Sequence, residues 1–147
     1  MEHTQTSSPI LVSLFYVSTA VGPQTTAVTG SLLQSSRANN QAHGVTGVLC
    51  QGRGLYLQVL EGPRNRVNLI YQRICNDSRH NRIELLAYEQ ISKRQFGEWS
   101  MALVDLSTTD TMVTMNHIDF DPYSASGETM RLNLVDLLAS KKDIQPL

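Results

Sequence analysis

The chain has 147 residues, 41% of them hydrophobic, and a net charge of −1, which suits one domain with a single core and leaves little room for a second. Its 12 Lys and Arg are scattered and balanced by 13 Asp and Glu, so no basic face marks DNA or RNA as a direct partner. No run approaches the roughly 18 apolar residues of a membrane span, and the polar start lacks a signal-peptide pattern, so a soluble, cytoplasmic protein is expected.

In chain order, the apolar and β-branched run from Ile10 to Val17 predicts a first strand. Gln24 to Asn39 follows as a helix, with Val28, Leu32 and Leu33 at helical spacing. Gly44 to Cys50 and Leu55 to Leu60 predict two strands paired antiparallel across the turn Gln51-Gly52-Arg53-Gly54. Pro63 suits the start of a second helix, whose Val67, Ile70, Tyr71 and Ile74 form an apolar stripe. Two further strands are expected at Ile83 to Ile91 and Trp99 to Leu106, separated by Ser92-Lys93-Arg94-Gln95 and Gly97-Glu98.

The order βαββαββ is a variant of the ferredoxin-like α+β plan, in which crossover handedness puts both helices on one face of a mixed sheet. Beyond the break at residues 122–127, Met130, Leu134, Leu137 and Leu138 make an amphipathic stripe, so a terminal helix is expected to cover the other face. A shorter helical segment is expected from about Thr109 to Asn116. The expected organisation is a flexible start at 1–9, a core domain at 10–106 and a helical extension at 107–147. An apolar terminal helix beside an open sheet face makes homo-oligomerisation an expectation. Cys50 and Cys75 are isolated and read as packing thiols, with neither a disulfide framework nor a metal site.

Within this plan several polar residues stand among apolar neighbours. Tyr16 closes the first strand, and Gln58 lies in Leu55-Tyr56-Leu57-Gln58-Val59-Leu60. A buried primary amide without partners costs roughly 1–3 kcal/mol, so something must meet both its carbonyl and its NH2 group. Tyr16 and Gln58 can meet across paired strands, either as a core hydrogen bond or as part of a site. Asn39 and Asn40 stand where the first helix is expected to end, as caps or as ligand-facing amides, and Asn39 shares a stripe with Leu32. Arg73, Asp77 and His80 follow at i, i+4 and i+7 beside Ile74, as a solvated ion-pair face or as donors and acceptors for a polyol or phosphate tail. Trp99 and Met101 alternate on the last strand with Leu103, either as core or as a two-state element, since Met repacks readily.

Taken together, Phe15-Tyr16-Val17-Ser18, Ser36-Arg37-Ala38-Asn39-Asn40, Gly44-Val45-Thr46-Gly47, Leu57-Gln58-Val59-Leu60-Glu61-Gly62, Asp77-Ser78-Arg79-His80 and Phe96-Gly97-Glu98-Trp99-Ser100-Met101 resemble the BLUF family of blue-light sensors using FAD. The resemblance runs from about residue 10 to residue 106, and the tail is similar to the two-helix cap of short, stand-alone members. It implies an isoalloxazine ring between the two helices, sandwiched by Leu32 and Ile74. Asn40 and Gln58 would lie at its polar edge, with Asn39, Arg73, Asp77 and His80 nearby or along the tail. FAD is the implied cofactor, with FMN or riboflavin as alternatives.

The resemblance further implies that Tyr16 is the photochemical electron donor and Gln58 the switch. The amide would rotate or tautomerise to exchange its hydrogen bonds, shifting the flavin absorption slightly to the red. Trp99 and Met101 would pass the change to a downstream partner protein, and which of the two faces inward is left open. Signalling without turnover is thus expected, since the chain has no room for an output enzyme. Two rivals are a small flavin oxidoreductase, for which no nicotinamide fingerprint is present, and a flavin-free interaction module in which the same residues merely pack.

Overall fold

The structure, a computed structural model, describes residues 9–97, 100–106, 121–124 and 126. Alternating strands and helices follow in the order β1 (Leu11–Ala20), α1 (Thr26–His43), β2 (Thr46–Gly52), β3 (Leu55–Pro63), α2 (Arg64–Cys75), β4 (His80–Ile91) and β5 (Ala102–Asp105). The strands form one sheet in the order β4-β1-β3-β2-β5, antiparallel except for the parallel β2–β5 pair. This is the expected ferredoxin-like α+β architecture.

Strand periodicity sorts the apolar residues onto two faces. Val12, Leu14, Tyr16, Leu49, Tyr56, Leu60 and Met101 pack with Leu33 of α1 and with Val67 and Ile70 of α2, so both helices cover one face. Phe15, Val17, Val48, Cys50, Leu57, Val59, Ala102 and Val104 form a second buried cluster on the other, joined by Phe96 and Leu106. Burial there pushes the Cys50 thiol up to about 12, as befits an inert packing residue.

Most boundaries differ from the sequence expectation by a few residues: β1 runs on to Ala20 and β3 to Pro63, β2 shifts to Thr46–Gly52, and three further differences bear on the site. α1 continues to His43, because the helix ends only where Gly44 takes a left-handed φ of 67° and donates to Asn40 O. Asn39 and Asn40 therefore lie inside the last turns of the helix and are not caps. β4 begins three residues early, at His80, because pairing with Ala20 and Thr19 of β1 extends the ladder. β5 is confined to four residues, the length over which β2 offers it a partner. The β2–β3 turn is the tight one expected, with Arg53 and Gly54 both at positive φ (56° and 78°) as a two-residue hairpin loop requires.

β4 is an edge strand with register shifts between Phe15 and Tyr16 and between Val17 and Thr19, and Arg82 within it has φ 52°. Tyr123 docks at this irregular stretch. Its hydroxyl donates to Arg82 O at 3.0 Å and lies 2.7 Å from Thr19 Oγ1, and the Arg82 guanidinium sits 4.3 Å above its ring. The helical segments expected at 109–116 and around Met130–Leu138 lie outside the described residues, as do residues 1–8 and Trp99. Among the described residues no helix is long and apolar enough to cross a membrane.

β2 and β3 approach so closely at Gly47 that an added Cβ would stand 1.9 Å from Val59 O. Replacing Gly47 by Ala forces the two central strands apart and is expected to destabilise the protein by at least about 2 kcal/mol, read as a lowered urea midpoint.

Candidate functional site

The site is built on the register between β1 and β3, which sets Tyr16 opposite Gln58 on the helix-covered face. Tyr16 Oη donates to Gln58 Oε1 at 2.5 Å. The other end of the amide, Nε2, donates to Met101 Sδ at 3.5 Å. All three side chains are buried, Met101 completely. Burial raises the Tyr16 phenol well above its ordinary range, with Tyr71 adding to the effect, so the group is a neutral donor. Tyr71 stands 5.7 Å from Tyr16 between ring centroids and is itself pushed up to about 12, chiefly by burial.

Above this floor α1 and α2 part to leave a cleft that opens to solvent. Its walls are apolar: Leu32 comes from α1, Ile70 and Ile74 from α2, and Leu49 from β2. Asn40, Gln58 and Tyr16 lie at the buried end, and Asn39, Arg73, Asp77 and Arg79 towards the exposed rim. Asn40 Nδ2 donates to Ser100 O at 2.7 Å, joining α1 to the segment that leads into β5. Arg37 Nε donates to Met101 O at 3.2 Å and strengthens the same junction.

His80 closes one side of the cleft with a fixed ring. Ile74 O can only accept, so the 2.6 Å contact requires hydrogen on Nε2, which leaves Nδ1 to accept from Ser18 Oγ at 2.7 Å in the neutral ring. The ring meets Tyr16 and Tyr56 edge-on, at centroid distances of 6.2 and 6.4 Å. At the rim Asp77 pairs with Arg79 through contacts of 2.6–3.1 Å, and these hold the Asp77 carboxyl below its usual range. Arg73 instead donates to Asn39 Oδ1 at 3.2 Å, bridging the two helices.

The structure thus gathers Tyr16, Leu32, Asn39, Asn40, Gln58, Arg73, Ile74, Asp77 and His80 around one cleft. Met101 lies behind Gln58 and does not line it; Trp99 is outside the described residues. The i, i+4, i+7 spacing does not produce one helical face, since α2 ends at Cys75 and the ion pair of Asp77 is with Arg79. Sequence reasoning missed Ser35, Ser36, Leu49, Tyr56, Ile70 and Arg79 as lining residues. For Tyr56 a signal existed, because it alternates with Gln58 on the same face of one strand.

A slot with apolar side walls, amides at the closed end and guanidinium groups at the mouth suits a flat heteroaromatic ring carrying a polar tail, since ligand sites are mostly apolar with a few placed polar groups. Among the described residues no cluster of His, Cys, Asp and Glu is arranged to hold a metal ion.

A family model described as sensors of blue-light using FAD matches residues 11–102. The chain is 36% identical over 75 residues to the blue light- and temperature-regulated antirepressor BluF of Escherichia coli (strain K12), which covers 51% of this chain and 19% of that protein. It is 28% identical over 109 residues to photoactivated adenylate cyclase subunit beta of Euglena gracilis, 74% of this chain and 12% of that protein. The chain therefore spans less than a fifth of the length of these two curated relatives. Among solved structures, BlrB, a BLUF protein in its dark state, superposes with a TM-score of 0.77 at 28% identity. The photo-activated state of BlsA superposes with 0.78 at 25%, and each covers 90% of this chain and 97% of its own. A family match spanning more than half of the chain, on a fold whose cleft has the shape and donors a flavin needs, makes this protein a member of the BLUF family of flavin-binding blue-light sensors.

Proposed function

We propose that the chain is a blue-light photoreceptor that binds FAD non-covalently between α1 and α2 and signals through a hydrogen-bond switch formed by Tyr16 and Gln58. The observation that carries this reading is the buried relay from Tyr16 Oη through the two ends of the Gln58 amide to Met101 Sδ, set at the closed end of the cleft. Leu32 and Ile74 flank the ring, Asn40 and Gln58 address its polar edge, and Asn39, Arg73, Asp77 and His80 serve its margin and tail. Arg73 and Arg79 at the mouth favour FAD, because a pyrophosphate gives cationic donors a partner that riboflavin lacks.

When bound, the flavin supplies an oxidant on absorbing blue light, strong enough to draw an electron from a phenol beside it. Tyr16 gives up that electron, and its proton, made strongly acidic by the loss, passes along the existing bond to Gln58 Oε1. Nε2 releases a proton to the bound flavin as the amide becomes its tautomer; without that release the amide can instead rotate about its terminal torsion. When the electron and a proton return to Tyr16, the phenol is restored and Gln58 is left with its donor and acceptor ends exchanged. Met101 Sδ then no longer faces the donor that held it, and the segment entering β5 is released. Trp99, two residues before Met101, takes part in passing the change onward. No substrate is consumed.

The signal goes to an effector protein, as the names of the antirepressor and cyclase relatives suggest for those proteins. The proposed unit acts in the cytoplasm as a homo-oligomer. Its photosensory domain is residues 10–106, with 107–147 as the output extension.

The visible spectrum of the purified protein in the dark, under blue light and during recovery tests the reading. A flavin spectrum that shifts slightly red and reverts is expected; bound flavin that bleaches, or no flavin at all, defeats it. Tyr16→Phe and Gln58→Leu are expected to retain flavin and lose the shift completely, and a normal shift in either excludes the relay. The raised Tyr16 pKa also fixes a pH dependence. Because the folded-state value lies above the ordinary 10.0, the phenol's contribution to stability is complete below pH 10 and is lost as pH rises further. Alkaline titration followed at 295 nm in wild type and Tyr16→Phe is expected to show the Tyr16 absorbance change only together with unfolding.

A further inference from the structure

Glu61 is a buried carboxylate that the relay does not use. It lies on β3 three residues after Gln58 and projects to the opposite face of the sheet, 1% exposed. Its carboxylate accepts the backbone N–H of Phe96 at 2.8 Å and that of Gln95 at 3.0 and 3.1 Å. Bonds from backbone N–H to a charged acceptor are among the stronger ones in proteins, and these two anchor the loop between β4 and β5. Arg94 adds three ties from the same loop, to Gly44 O at 2.7 Å, Thr46 Oγ1 at 2.9 Å and Glu61 O at 3.2 Å. Phe96 is seated in the buried cluster on that face. The chain then needs only five residues to reach Met101, whose carbonyl is held from the other side by Arg37.

One strand therefore carries the amide that contacts Met101 and, three residues on, the carboxylate that fixes the loop leading to Met101. We propose that Glu61 is a positioning residue: by clamping the β4–β5 loop to β3 it keeps Met101 Sδ against Gln58 Nε2 and so sets how readily Met101 leaves after light. The part concerning light rests on the function proposed above; the part concerning the position of Met101 does not. An apolar side chain at 61 would fill the space but leave the N–H groups of Gln95 and Phe96 without this acceptor. A neutral amide would turn a donor towards one of them.

The test uses the full chain labelled at its five methionine methyl groups, with the Met101 resonance assigned through Met101→Leu. Glu61→Gln is expected to shift and broaden the Met101 signal with or without flavin. In the flavin-loaded protein it is expected to leave the dark absorption maximum in place and to speed dark reversion several-fold, with Glu61→Asp restoring part of both. A folded Glu61→Gln with an unchanged Met101 signal overturns the proposal. So does a changed signal with an unchanged reversion rate, which would reduce Glu61 to a structural contact. If Glu61→Gln does not fold, Glu61→Asp, which keeps the charge but shortens its reach to the N–H groups of Gln95 and Phe96, is read by the same two criteria. Should the wild type take up no flavin, the photoreceptor reading fails, and the methyl spectrum alone decides whether Glu61 positions Met101.

Discussion

A primary amide has two ends of opposite polarity, and burying one obliges the protein to satisfy both. Gln58 is almost fully buried, so its carbonyl must find a donor and its NH2 group an acceptor within the core. Tyr16 of β1 and Met101, the residue just before β5, are those partners. The sheet order makes this possible: β1 lies beside β3, whereas β5 lies beyond β2 and brings Met101 over Gln58 only on the helix-covered face. An amide is also the side chain whose two ends can trade places without change of volume.

The same face must stay partly unfilled for a ligand to reach the relay. α1 and α2 each use a narrow apolar stripe on the sheet, Leu33 on one and Val67 with Ile70 on the other, and between them they leave the cleft. The Arg73–Asn39 bond ties the helices across the gap at the rim, and the Asn40–Ser100 bond ties α1 to the approach to β5 below it. The walls of the cleft are thus held apart and together by polar contacts at its two ends, while the middle is left to apolar side chains.

Much of this was legible in the sequence because it rests on periodicity. Alternation placed Tyr16, Gln58 and Tyr56 on faces, and the helical stripes located α1 and α2. What was not legible depends on contacts distant along the chain. The length of α1 was underestimated because two consecutive Asn resemble an ending, whereas Gly44 provides the left-handed cap and Asn40 spends its amide on Ser100. His80 reads as part of a loop until its pairing with Ala20 shows that it opens β4. Spacing suggested Arg73 as the partner of Asp77, but a turn after α2 lets Arg79 fold back on it with a geometry no helix would permit. Glu61 was visible only as part of a distinctive motif; its purpose emerges from a loop thirty-four residues further on.

The irregular course of β4 bears on how the sheet ends. An edge strand offers unpaired N–H and C=O groups to any extended chain that passes, and a long, regular edge invites stacking of molecule on molecule. Here two register shifts and a left-handed Arg82 break the spacing of those groups, the exposed Glu84 and Glu89 add charge, and Tyr123 sits upon the break. The sheet is therefore protected against lengthening on this side, which leaves the short edge at β5 as the side where an extended chain could add.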